Sequence, residues 1–511
     1  MNIKLYPQTF DEFAQQAQHS EVVPVVGTMS THSFDAIDVF IKLSRAARYA
    51  FLFESVEGEE RVAQYSFVGA DPYMIVRGRG NQTIVEQANS VVTLPVCAPD
   101  FVKDHFRQRR LTYASERIPL AGGAVGYLGY NAAGWFEPAI GVNSSSADQP
   151  DDGLWMFFRS LVVFDHRNAE VKLVSVALKE LANNEPQGLQ VLYEDAIDQT
   201  GKLCELLQES SPSLSHKVKS SPSQVPSLNT NWTKDGFCDA VNQVQEHILA
   251  GDCYQAVLSQ RFSRPVSADP VAIYRALRQG NPSPYMYFLK LDSDSIIGAS
   301  PEMLVRIRGR QIEYRPIAGT RPRGTTPAQD EKLSEEMRCD EKEIAEHTML
   351  VDLGRNDVGR IARFGSVKVD QLMAVERYSK VQHLVSSLSA QLRSDYDRFD
   401  ALAACFPAGT VTGAPKVKAM EIIKALEPES RNIYAGAIFY VDYAGNLDSC
   451  IAIRTIELRN GQASVQAGAG IVSDSIPERE YAETVAKADG LWRAIEMAEN
   501  GLIPGFPDYK Q

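Results

Sequence analysis

Strand-like apolar runs alternate with turns over the first part of the chain, at 49–54, 82–86, 154–158 and 161–164. The pattern then changes to a helical one over Gln187–Gln208. Thr233 is placed to cap a second helix with an apolar stripe of Phe237, Val241, Val244 and Ile248, ended by Gly251. Beyond it the pattern predicts strands around 254–264, 285–291, 303–308, 311–316, 433–442, 447–458 and 462–470. Helices are predicted around 330–353, 371–376, 398–405, 414–426 and 478–499. Hairpin-like neighbours, such as Arg306–Glu313 and Val441–Asp448, favour antiparallel sheet with helices added, an α+β layout, over alternating βαβ units.

One segment has no such pattern. Ser210–Thr230 is dominated by Ser and Pro with almost no large apolar residue, and reads as an exposed linker. It divides the chain into an N-terminal part (1–209), the linker (210–231) and a C-terminal part (232–511) with most of the candidate chemistry.

Composition is ordinary for a globular protein of 511 residues, with 44 % hydrophobic and 23 % charged residues. The net charge of −13 argues against a nucleic-acid partner, and it repels an anionic substrate unless local cations reverse the field. The seven scattered cysteines form no C-x-x-C and suit free thiols in a reducing cytoplasm. There is neither a secretory apolar core at the N-terminus nor a membrane-length apolar run.

The most informative polar pattern is a pair of acidic signatures, Glu343/Glu346 and Glu480/Glu483, each spaced i, i+3 and so on one helix face. On the second helix Lys487 falls within about 60° of Glu480 and Glu483. Converging, the four carboxylates make an all-oxygen nest for a hard cation such as Mg²⁺; the alternative is a pair of solvated faces. Position i+3 is Glu rather than His, which speaks against di-iron, and zincin spacing is absent. Gly409–Lys416 lacks the spacing of a phosphate loop, and Gly468–Gly470 closes a strand with residues that allow close ligand approach. Gly122–Gly129 mimics a dinucleotide fingerprint but reads as a packed strand and turn. Alternation of Val381, His383 and Val385 points His383 to the apolar face, where a lone His is usually a satisfied core residue.

Taken in order, Asn281–Met286, Ala299–Glu302, Pro316–Arg321, Asp340–His347, Val351–Gly359, Lys380–His383, Phe406–Lys416, Ile451–Thr455 and Gln466–Val472 resemble component I of anthranilate synthase, within the wider family of chorismate-utilising enzymes. The likeness is dense from about 232 to 490 and thinner from about 10 to 170. It implies two large antiparallel sheets in a sandwich-like core, helices outside, and an active site in a cleft. Water-adding relatives carry a Lys base where Gln255 stands, and aminodeoxychorismate synthases commonly carry a Lys nucleophile where Ala318 stands. A neutral amide cannot activate water and Ala cannot attack covalently, so both positions point to ammonia addition and an aromatic product.

The resemblance further implies roles. Mg²⁺ is held by Glu346 and Glu483, with Glu343 and Glu480 close by or through water. Tyr434, Arg454 and the Gly468–Ala469–Gly470 backbone hold the enolpyruvyl carboxylate of chorismate, and Lys487 adds charge. Gly319, Thr320 and Thr410 complete the pocket, with Thr320 in the catalytic set. Glu302 is the candidate general acid and His383 the candidate for pyruvate elimination. The ammonia comes from a glutamine amidotransferase subunit, component II, in a heterotetramer; no Gly-x-Cys-x-Gly turn for that chemistry lies in this chain. Glu54, Ser55, Pro284, Tyr285 and Met286 match the family's tryptophan pocket, in a regulatory N-terminal part. The Gly129–Glu137 segment departs from the family, which usually carries an Asp and an Arg there. An aminodeoxychorismate synthase and a catalytically silent scaffold stand as alternatives.

Overall fold

The computed structural model describes residues 3–30, 34–56, 64–88, 90–111, 118–141, 150–182, 186–209, 227–378 and 380–502. Most of the Ser/Pro-rich stretch, 210–226, lies outside them. Two large sheets, entirely antiparallel, dominate the fold. In the first the order is Lys4–Tyr6, Val22–Ser30, Glu170–Leu178, Ser160–Asp165, Tyr65–Ala70, Tyr49–Glu54, Tyr285–Leu291, Asp294–Ser300, Thr455–Arg459, Gln462–Ile471, Gln255–Pro265 and Asn229–Thr230. The second runs Ile317–Pro322, Val381–Gln391, Gln311–Tyr314, Met303–Arg308, Leu447–Ile451, Ala437–Asp442, Gly123–Leu128, Gly153–Phe158, Met74–Arg79, Gln82–Gln87 and Ser90–Leu94. Their inner faces share one core, with Phe51, Tyr287 and Ile296 from one sheet against Val305, Phe439 and Phe157 from the other. This is the α+β sandwich with outer helices.

Both sheets draw strands from both sides of the linker. Leu52 pairs with Phe288 in the first, and Gly126 with Phe439 in the second. The second seam needs glycine: a Cβ on Gly123, at φ +139°, would lie 2.1 Å from the Val441 carbonyl oxygen. Gly122–Gly129 is thus a tightly packed strand and turn.

Local expectations hold where periodicity is strong. Thr233 caps the Lys234–Leu249 helix by accepting from the Gly236 amide. Elsewhere tertiary contacts redraw the boundaries. The expected 330–353 helix is two helices, Pro327–Cys339 and Glu341–Gly359, because Asp340 leaves helical geometry and accepts from the Lys342 and Glu343 amides. The expected 371–376 helix is instead the edge strand Lys368–Arg377, whose register slips twice along Val381–Gln391 and whose Met373 takes φ +52°. Pairing along Val381–Gln391 overrides the helix-like spacing of its apolar residues. The 447–458 strand is interrupted at Arg454, at φ +51°. Pro477–Glu499 buries Glu480, Thr484, Ala488 and Ile495 and leaves Val485 exposed. No helix among the described residues is long and apolar enough to cross a membrane.

Candidate active site

The cleft is built from the irregularities just described. Glu302 sits between the Asp294–Ser300 and Met303–Arg308 strands, its carbonyl accepting from the Ile451 amide at 3.1 Å. Its side chain is buried, and burial raises its pKa to about 8 against the smaller opposing pulls of the Thr410 hydroxyl and Lys487. At neutral pH Glu302 therefore holds its proton and can donate it. Thr410 is carried by the short Gly409–Val411 turn, and its hydroxyl is buried beside the Glu302 carboxyl.

His383 does not face the core. Gln382 and Leu384 take the buried positions of its strand, and His383 opens onto a cavity of about 150 Å³ shared with Pro301, Thr320, Tyr378 and Arg454. Its Nδ1 lies 3.1 Å from the Gly319 carbonyl oxygen and 3.1 Å from Thr320 Oγ1. A carbonyl only accepts, so Nδ1 carries the hydrogen and Nε2 keeps its lone pair. Burial lowers the imidazole pKa, the bond to Gly319 opposes it, and the Arg454 charge lowers it again. A neutral imidazole with a free acceptor nitrogen results.

Gly319 takes φ +60°, and a Cβ there would stand 3.0 Å from Glu343 Oε2. Arg454 is open to the cleft yet hemmed in by protein, which holds its pKa below the ordinary value. Among the described residues no carboxylate lies within ion-pair distance of it, and its Nη1 makes one long contact, 3.5 Å, to the Lys487 carbonyl. An arginine left without a counter-ion in a cleft is a receptor for an anion. Opposite, a Cβ on Gly468 would stand 2.6 Å from the Tyr434 hydroxyl, and one on Gly470 2.3 Å from Gln255 Nε2. Ala469 is buried between them. Lys487 donates to the Gly468 carbonyl at 2.9 Å and pairs with Glu483 at 2.7 Å.

The two acidic helices share one electrostatic neighbourhood. The Glu346 carboxyl is pushed up by burial, eased by Lys342, and pushed up again by Glu343, Glu483 and Glu480. Yet among the described residues no three acidic, His or Cys side chains stand close enough to grip an ion. Arg321 pairs with Glu343 at 2.8 Å and Lys342 with Glu346 at 3.8 Å. The donor set is all carboxylate oxygen, which suits Mg²⁺ rather than a softer metal.

A second, larger cavity of about 960 Å³ lies beside it and is bordered by Glu54, Ser55, Pro284, Tyr285 and Met286. The Ser55 hydroxyl is buried and has no hydrogen-bond partner among the described residues. Glu54 is already engaged, accepting from Tyr274 Oη at 2.6 Å and Arg278 at 3.1 Å, and burial raises its pKa. Pro284 borders both cavities. Sequence patterns gave no sign of Tyr378, edge-on to His383 at 5.5 Å, or of the fully buried Arg431.

A family profile for chorismate binding enzymes matches residues 48–493. The chain belongs to the chorismate-binding enzyme family. Among its relatives, anthranilate synthase component 1 of Acetivibrio thermocellus is 42 % identical over 96 % of this chain and 99 % of the relative. That of Aquifex aeolicus is 40 % identical over 98 % and 99 %. The crystal structure of anthranilate synthase component I from Streptococcus pneumoniae superposes with a TM-score of 0.73 at 36 % identity, covering 84 % of this chain and 92 % of that one. A menaquinone-specific isochorismate synthase from Escherichia coli shares the fold, with a TM-score of 0.69 at 20 % identity over 93 % and 95 %.

Proposed function

We propose that this chain is the large subunit of a Mg²⁺-dependent anthranilate synthase in tryptophan biosynthesis, converting chorismate and ammonia to anthranilate and pyruvate. One observation carries the reading. A neutral imidazole with a free nitrogen and an arginine with no counter-ion among the described residues line one cavity, and the buried Glu302 carboxyl, with a pKa of about 8, follows directly on Pro301 of its wall. That is an acid, a base and an anion receptor, as the reaction requires.

Arg454, Lys487 and the Gly468–Gly470 backbone receive the enolpyruvyl carboxylate, beside Tyr434. Glu302 donates its proton to the C4 hydroxyl as that group leaves and the new C–N bond forms at C2. The new ammonium group returns a proton to Glu302. His383 then accepts the C2 proton as the C3–O bond breaks, and the enolpyruvyl group leaves as an enolate that takes a proton at its methylene carbon to become pyruvate. Thr320 and Gly319 hold the imidazole in the required tautomer. Glu346 and Glu483, with Glu343 and Glu480 close by or through water, would hold a magnesium ion that neutralises the ring carboxylate.

The nitrogen comes from glutamine through a partner amidotransferase subunit, component II, in a cytoplasmic heterotetramer. Tryptophan inhibits from the larger cavity, through Ser55 and Pro284–Met286, with Glu54 shaping its wall. The test is to mix the purified chain with chorismate, Mg²⁺ and ammonium. Anthranilate fluorescence with stoichiometric pyruvate is expected. A non-aromatic amino product without pyruvate would mean an aminodeoxychorismate synthase, and no turnover a silent scaffold.

A further inference from the structure

Behind the substrate cleft lies an arginine that none of its chemistry uses. Arg431 is 2 % exposed, between the Lys416–Leu426 helix and the Ala437–Asp442 strand. Its guanidinium spends its donors on three segments. Nη1 donates to the Val411 carbonyl at 2.7 Å and Nη2 to the Val257 carbonyl at 2.6 Å. Nε and Nη2 also grip both oxygens of Glu427, at 2.8 and 2.6 Å. Two rings cover it: Tyr130, with its centroid at 4.8 Å, and Tyr434, at 5.6 Å. Glu427 is held in turn by the amide and hydroxyl of Ser259, both at 2.8 Å.

Three of these partners bear on the walls of the cleft. Val411 closes the turn that presents Thr410 to Glu302. Val257 is the cross-strand partner of Gly470. Tyr434 lies over Gly468. We infer that Arg431 is a positioning residue of the substrate cleft: its planar fork fixes the Thr410 turn, the Gly468–Gly470 strand and the Tyr434 ring relative to one another. Only a guanidinium can do this, because a lysine is a point charge that cannot span two carbonyls and a carboxylate at once. The inference also gives the Gly129–Glu137 segment a task. Tyr130 is its contribution, and the Tyr130 hydroxyl, buried with no partner among the described residues, is not what the clamp uses.

The clamp bears on catalysis only if the proposed reaction is right, so its test has two arms. Arg431→Lys, Tyr130→Leu and Tyr130→Phe are compared with the parent in the ammonium reaction and by deuterium exchange of the 406–416 segment. Tyr130→Phe should match the parent in both. Arg431→Lys and Tyr130→Leu should lower kcat on the order of tenfold or more, with a smaller change in KM for chorismate. Both should speed exchange at 406–416 and leave the distant Ser90–Leu94 strand unchanged. If Arg431→Lys does not fold, Tyr130→Leu decides. Parental kcat and parental exchange in a folded Tyr130→Leu would overturn the inference, as would a loss equal in Tyr130→Phe. A parent that turns over no chorismate would instead refute the proposed activity, and the exchange arm would still decide the clamp.

Discussion

Glu302→Gln should make the protein more stable and less active at once. The folded carboxyl titrates at about 8 against an ordinary value of 4.5. Between those two pH values the folded chain holds a proton at this position that the unfolded chain has lost, so stability falls as pH rises across the window and levels off above pH 8. At about 1.4 kcal/mol per tenfold change in proton affinity, the full penalty above pH 8 is about 4–5 kcal/mol. Water entering the cleft around the carboxylate will recover part of it, so a gain of about 2 kcal/mol in the variant at pH 9 is the expected reading. Glutamine keeps the volume and cannot ionise, so parent and variant should converge near pH 4.5. Thermal or urea unfolding at a series of pH values measures this directly. The same change removes the proton donor, and turnover should drop about 10²–10⁴-fold. In the parent, the rate referred to free ammonia should fall as pH passes about 8. Equal stability of the two forms at pH 9 would show that the carboxyl is not held neutral, and the acid role of Glu302 would go with it.

Glu346→Gln or Glu483→Gln should weaken Mg²⁺ binding in calorimetry and cut activity by orders of magnitude with the fold intact; full activity in EDTA would remove the metal assignment. His383→Ala should impair aromatisation more than amination and accumulate a non-aromatic amino intermediate, visible by chromatography; equal loss of both steps would indicate a binding role. Ser55→Phe should fill the cavity that Ser55 borders and relieve tryptophan inhibition while sparing ammonia-dependent turnover. Unchanged inhibition in a tryptophan titration would take this cavity out of the regulatory reading.

The sequence by itself determined what contiguous residues decide. Thr233 and the stripe behind it specify a capped helix, and the order of motifs from Asn281 to Val472 identifies the family. The i, i+3 glutamates announce two acidic helix faces, since helical spacing is a local property. Tertiary structure decided whatever depends on residues far away in the chain. Lys368–Arg377 carries a helix-like apolar spacing, but pairing along Val381–Gln391 makes it a strand. His383 alternates with valines, yet the sheet turns it to the cleft, because the inward positions are taken by Gln382 and Leu384. Glu302 looks like any surface carboxylate until the fold buries it and raises its proton affinity. Arg431 is invisible in sequence for the same reason. Its five partners, Val257, Val411, Glu427, Tyr130 and Tyr434, are brought around it by a strand of the first sheet, two short helical turns, a helix end and a loop. Spacing along the chain encodes which face a residue occupies. Desolvation and the meeting of distant donors and acceptors exist only once the sheets, with strands from both sides of the linker, have closed on one another.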